Sequence, residues 1–164
     1  MILIGLGANL PSARYGDPVN TCEAALAALG QAGVRVVARS RWYRSAPVPA
    51  SDQPWFVNGV AEVETDLAPA ALLEVLHGIE QDFGRVRRAR DEARVIDLDI
   101  LAYDGVVSRP GETPALPHPR LAERAFVVLP LADLAPEWRH PVTGERAGDM
   151  ARRLPAGQTA EPIE

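Results

Sequence analysis

Val95 to Leu101 reads VIDLDIL, and its alternation constrains the fold more than any other stretch. Successive strand side chains project to opposite faces, so Asp97 and Asp99 point the same way, along with Val95. Ile96, Leu98 and Ile100 point the other way, into a core. A strand with two acids on one face and three aliphatics on the other needs a sheet with one covered face and one polar face. Beside it, Arg85, Arg87, Arg88, Arg90 and Arg94 form a cationic run in a chain of net charge −5. Neighbouring carboxylates repel one another unless a cation or a proton intervenes. Mg²⁺ takes one or two carboxylates and keeps positions for phosphate oxygens, and guanidinium groups match phosphate geometry. The residues alone leave two readings open: a metal–polyphosphate site, or an acid pair next to a solvated charged surface.

The remaining pattern supplies the rest of a small α+β domain. Ile2 to Leu6 is predicted as a buried strand. Gly5-Leu6-Gly7 lacks the remainder of a G-x-G-x-x-G nucleotide fingerprint. Asp17 and Pro18 open a helix with Cys22, Ala25, Leu26 and Leu29 on its apolar stripe, ended by Gly30 or Gly33. Val34 to Tyr43 is predicted as a strand and Arg44 to Pro54 as a proline-broken loop. Phe56 to Glu64 alternates, with Phe56, Asn58, Val60, Glu62 and Glu64 opposite Val57, Gly59, Ala61 and Val63. Asp66 is expected to cap a second helix whose stripe runs from Leu72 to Phe83, with Gly84 ending it. Asp104-Gly105 signals a hairpin returning through Val106 and Val107. Glu123 to Leu134 fits strand and helix about equally, and Pro130 weakens both. Arg146 to Leu154 is predicted as a terminal helix, with the tail from Pro155 loose.

Strand, helix, strand, strand, helix, strand is the ferredoxin-like β-α-β-β-α-β order. It predicts an antiparallel sheet with helices on one face, plus extra strands and a C-terminal helix. With 164 residues and no repeats or linkers, residues 1–164 are expected to form a single domain. The mild acidity argues against general nucleic-acid binding. The apolar start is too short for a membrane span and lacks a basic leader. The lone Cys22 fits a reducing cytoplasm. A monomer acting on small molecules is expected.

Several segments together resemble one family, the 6-hydroxymethyl-7,8-dihydropterin pyrophosphokinases of folate biosynthesis. They are the opening IGLGANL, Tyr43-Arg44-Ser45, Asp52 to Asn58, Ile79-Glu80, Gly84 to Arg87, Arg94 to Ile100, Pro117 to Arg120, Glu123 to Phe126 and Leu129 to Leu131. The resemblance implies transfer of the pyrophosphoryl group of ATP to the pterin hydroxymethyl oxygen, with release of AMP. It implies two Mg²⁺ ions held by Asp97 and Asp99, with Arg85 and Arg94 catalytic on the phosphates. Arg87, Ile100, His118, Arg124 and His77 fall at nucleotide-side positions. Without the motif, His118 between two prolines reads as a structural loop residue and His77 as an exposed helix residue. Phe56 and Phe126 are expected to sandwich the pterin, Asn58 to meet its polar edge, and Ser45, Ala46 and Val48 to complete the pocket. The stretch from Arg85 to Arg94 is expected to act as a lid that closes over bound nucleotide. Two departures stand out: Asp91-Glu92-Ala93 replaces a Trp-Gly-Pro seen in many relatives, and Phe56 replaces a tyrosine. A ferredoxin-like RNA-binding module and an Mg²⁺-dependent nuclease or nucleotidyltransferase are the competing readings. The first lacks the aromatic signature such modules use to stack bases.

Overall fold

The computed structural model describes residues 1–12, 14–47, 50–84 and 95–163. Strand β1 (Ile2–Ala8) lies between β4 (Phe56–Glu64) and β5 (Asp97–Tyr103) and is antiparallel to both. The far edge of β4 is shared by β2 (Arg35–Arg39) toward its C-terminal end and β3 (Tyr43–Ser45) at its N-terminal end. Strand β6 (Ala160–Pro162) pairs with β3, giving the path β5-β1-β4-β3-β6. Helices α1 (Pro18–Gln31) and α2 (Pro69–Asp82) complete the ferredoxin-like order expected from the sequence.

The single strand predicted over Val34 to Tyr43 is instead two strands, split at Ser40-Arg41-Trp42. Ser40 donates its amide to the Val60 carbonyl at 2.9 Å and accepts the Val60 amide on its hydroxyl at 3.0 Å, so a side chain replaces a ladder carbonyl. The Trp42 indole then packs over Gly59. A Cβ at residue 59 would come within 2.4 Å of the indole, so only glycine admits this packing.

Asp17 caps α1 by accepting the Asn20 amide at 3.1 Å, and Gly33, with φ of 85°, ends the helix. Asp66 does not cap α2. Pro69 starts that helix, which leaves Ala68 at the cap and Asp66 two residues too early.

Both faces of the sheet are apolar, and each has its own cover. Ile4 and Leu6 of β1, Ala61 and Val63 of β4, and Leu98 and Ile100 of β5 pack against α1 and α2. On the opposite face, Leu3, Val60, Leu101 and Ala102 pack against α3 (Ala125–Leu134) and α4 (Ala147–Arg152). The ambiguous segment is therefore a helix. It is apolar nearly all round because it lies between the sheet and α4, which hides the usual one-sided stripe. Pro130 sits inside it, buried, and cannot donate to the Phe126 carbonyl. A bulge in β5 serves this second core. Leu3 pairs with Ala102 and Ile4 with Ile100, so Leu101 is the extra residue, and both Leu101 and Ala102 are buried in the second core.

Two further expectations fail. Asp104, with φ of 51°, does make a turn with Gly105, but Val106 and Val107 form no returning strand and are 41% and 53% exposed. The loop that follows closes on itself through Ser108 and Leu116, then docks when the His118 amide donates to the Leu101 carbonyl at 2.8 Å. The tail from Pro155 is not loose, since β6 extends the sheet and the Ile163 amide donates to the Trp42 carbonyl at 2.9 Å.

Candidate active site

The site is built on the second face of the sheet, beyond the reach of its apolar cover. Gly7 pairs with Asp97 on one side and Asn58 on the other, and Asn58 pairs with Tyr43. Directly paired residues share a face, so these four form one row across four strands. Asp99, Gly5 and Val60 form the next row. Gly7, between Asp97 and Asn58, leaves a trough in its row, whereas the space over Gly5 is taken by Leu101, whose side chain lies 3.2 Å from where a Cβ would stand. A Cβ at residue 7 would stand 3.1 Å from the Asn58 amide nitrogen. The sequence reading missed Gly7 as part of the site.

Asp97 and Asp99 are half-buried, and both face the trough as the alternation predicted. Leu98 between them points into the first core, and its amide donates to the buried Glu80 carboxylate of α2 at 2.9 Å. The donor set suits Mg²⁺: two hard carboxylates on one face, with no cluster of three or more His, Cys, Asp or Glu side chains among the described residues. Such a pair leaves the other coordination positions to phosphate oxygens and water. Ile100 points away from this face, as the strand alternation expects. Its side chain is buried in the first core, behind the face that carries Asp99, leaving only its main chain to meet a nucleotide.

His118 and Arg124 stand beside the aspartates. Burial, then the nearby Arg124 and Arg120, pushes the His118 pKa below its ordinary value, against the opposing pull of Asp97. Its Nδ1 accepts the Arg120 amide at 3.2 Å, so in the neutral ring the hydrogen is on Nε2, available as a donor. Arg124 is likewise lowered, by burial first and by Arg120 second, while Asp99 and Asp97 act in the other direction. The structure thus brings His118, Arg124 and both aspartates into one electrostatic neighbourhood. His77 is half-buried on α2, one turn before Glu80. Arg85, Arg87, Arg94 and Val48 lie outside the described residues, as does the expected lid from Arg85 to Arg94.

At the other end of the trough, the Ser45 hydroxyl donates to Asn58 Oδ1 at 2.6 Å, with both residues buried. This fixes the amide orientation and leaves the Nδ2 hydrogens directed elsewhere. Phe56 pairs with Ser45 at the start of β4, and Phe126 lies in the first turn of α3 under the Arg124 guanidinium, 5.4 Å from the ring centroid. Both rings are half-buried. Ala46 follows β3 and donates its amide to the Thr159 carbonyl at 3.1 Å. Asn9, Tyr43 and Arg41, none with a predicted role, support this end. Buried Asn9 donates from Nδ2 to Gln53 Oε1 and to the Pro54 carbonyl, each at 3.1 Å. Tyr43 donates to Asp133 at 2.8 Å and Arg41 grips the same carboxylate through two nitrogens, tying β3 to α3. Burial opposes the Asp133 charge, yet these hydrogen bonds hold its pKa below the usual carboxylate value.

Comparison with known proteins gives a consistent result. The family model described as 7,8-dihydro-6-hydroxymethylpterin-pyrophosphokinase matches residues 3–136. The 2-amino-4-hydroxy-6-hydroxymethyldihydropteridine pyrophosphokinase of Methylorubrum extorquens is 44% identical over 135 residues, covering 82% of each chain. The protein of the same name from Pseudomonas aeruginosa is 43% identical over 166 residues, covering 99% of this chain and 93% of the relative. The fold is similar to that of Plasmodium falciparum HPPK-DHPS, with a TM-score of 0.70 at 14% identity. That match covers 92% of this chain and 44% of the longer one.

Proposed function

Since the chain belongs to the 7,8-dihydro-6-hydroxymethylpterin-pyrophosphokinase family, we propose that the trough on the second face of its sheet is where that family's reaction takes place. The chain is an ATP-dependent pyrophosphokinase of folate biosynthesis. It transfers the pyrophosphoryl group of ATP to the hydroxymethyl oxygen of 6-hydroxymethyl-7,8-dihydropterin, giving AMP and the pterin diphosphate ester. The reading of the site rests on one observation: two carboxylates and one buried amide face the same trough, separated by the width of a glycine-bearing strand.

Asp97 and Asp99 would hold Mg²⁺, two ions by the family resemblance. When bound, the metal would neutralise phosphate charge and make the attacking hydroxyl more acidic. The chain's own work is positioning and charge stabilisation. Asn58 presents Nδ2 to the pterin edge, with Oδ1 already occupied by Ser45. Phe56 and Phe126 supply stacking faces, Ala46 lies on the loop side, and Val48 would add an apolar contact by the family resemblance. His118 donates from Nε2 to a phosphate oxygen, and Arg124 supplies fixed positive charge beside it. Arg85 and Arg94 act on the transferring phosphates with Arg87 assisting, and His77 and the Ile100 main chain lie toward the nucleotide base. The enzyme works as a cytoplasmic monomer, with residues 1–164 as one catalytic unit.

The test is AMP release from ATP, Mg²⁺ and the hydroxymethyl-dihydropterin. Asp97→Asn and Asp99→Asn should each abolish turnover while circular dichroism and Tm show an intact fold. Near-normal AMP release by both variants at ordinary Mg²⁺ would overturn the metal assignment.

A further inference from the structure

The segment from Gly157 to Ile163 lies beyond the residues matched by the family model, yet it touches both sides of the pterin end of the trough. Gln158 reaches α3, where its Oε1 accepts the Ala125 amide at 2.8 Å and its Nε2 donates to the Glu123 carbonyl at 2.8 Å. Arg124, the residue between those two contacts, is the cap of α3 and makes no side-chain capping bond of its own. Gln158 therefore supplies, from 33 residues away, the partner that the helix start lacks. The very next residue, Thr159, accepts the Ala46 amide, and Ala160 to Pro162 then pair with Ser45 to Tyr43. Arg44 and Glu161 add an ion pair across the same two strands.

Consecutive residues thus hold opposite walls, α3 with Arg124 and Phe126 on one side and β3 with Ser45 and Ala46 on the other. We propose that residues 157–163 are a strap that sets the spacing of the pterin pocket, with Gln158 as a positioning residue for Arg124 and Phe126. Gln158 need not touch substrate to do this. Its two hydrogen bonds fix the main chain on either side of Arg124, and Phe126 follows one residue later on the helix so anchored. The proposal rests on the placement of the pterin at Phe126 given above.

The test is pterin titration of the full chain with Mg²⁺ and a saturating non-hydrolysable ATP analogue, for wild type, Gln158→Ala, Gln158→Glu, Phe126→Ala and the Gln158→Ala/Phe126→Ala double variant. Gln158→Ala should weaken pterin binding roughly five- to tenfold, the loss expected for one to two hydrogen bonds. Gln158→Glu keeps the acceptor for the Ala125 amide and should recover part of that loss. In the Phe126→Ala background, Gln158→Ala should have little further effect, because the ring it positions is gone. Full additivity of the two substitutions, or a Gln158→Ala variant with lower Tm and unchanged pterin affinity, would make the strap merely structural. If Phe126→Ala by itself leaves pterin affinity unchanged, the pterin placement fails and the strap proposal with it. If Phe126→Ala weakens binding and Gln158→Ala does not, the placement stands and only the strap is overturned.

Discussion

Asn58 is useful to a ligand because Ser45 has already taken its oxygen. With Oδ1 accepting at 2.6 Å in a buried site, the amide cannot flip without breaking that bond, and its nitrogen stays turned toward the trough. Asn58→Ala should therefore weaken pterin binding by about 1–3 kcal/mol and spare ATP, since it leaves a polar ring edge unpaired. Calorimetric titration with each ligand separately checks this, and equal losses for both would mark Asn58 as structural. His118 carries a second expectation, read from its lowered pKa. The native ring resists protonation, while the unfolded chain takes up a proton near the ordinary value of 6.5. The unfolded state then binds more protons as pH falls, so this contribution to stability is complete above about pH 6.5 and declines below it. In metal-free protein, the fall in Tm from about pH 7 to about pH 5.5 should be smaller for His118→Gln than for wild type. Parallel curves for the two proteins would show that His118 is not the group responsible.

At the scale of elements, β5 is the one to perturb. Among the described residues it pairs only with β1, so amides on its outer edge need partners from elsewhere, and Glu80 of α2 provides one for Leu98. Glu80→Ala should cost about 1–3 kcal/mol of stability by chemical denaturation, whereas Glu80→Gln, which keeps a carbonyl acceptor, should recover much of it. An alanine variant as stable as wild type would show that the edge is satisfied without Glu80. The faces of β5 were legible in the sequence because alternation is local: Ile96, Leu98 and Ile100 are buried in the first core, and Asp97 and Asp99 face the trough. The same holds for β4 and for the start of α1 at Asp17. What escaped the sequence depends on partners far along the chain. The break between β2 and β3 follows from Trp42 needing the space above Gly59. The bulge at Leu101 exists because α3 and α4 offer a second core. Helix α3 reads ambiguously because it is apolar over most of its circumference, with Ala125, Val127, Val128 and Leu131 buried. In the site, Gly7 gains meaning only when paired against Asp97 and Asn58. Ile100, a nucleotide-side position by the family resemblance, turns its side chain into the first core as the parity of its strand expects.

At the scale of the whole molecule, one sheet separates two apolar layers, and only one of them adjoins the chemistry. Leu29 is fully buried in the layer beneath α1, and Leu131 is fully buried in the layer beneath α3. Both layers close on the same strands, so loss of either should destabilise the entire domain and leave a single unfolding transition. Leu29→Ala and Leu131→Ala should each cost about 2–5 kcal/mol, the usual range for a large-to-small change in a packed core. Their effects on ligand binding should differ. Leu131 shares a helix with Phe126, and Tyr43 and Arg41 tie that helix to β3 through Asp133. A cavity at Leu131 lets α3 settle, which moves Phe126 and Arg124 relative to Asn58. A cavity at Leu29 lies on the far side of the sheet, where relaxation is absorbed by α1. Pterin affinity, measured well below the Tm of both variants, should fall for Leu131→Ala and stay near wild type for Leu29→Ala. Equal losses of affinity would show that the sheet transmits strain from one face to the other, and two resolved unfolding transitions would show that the layers are independent.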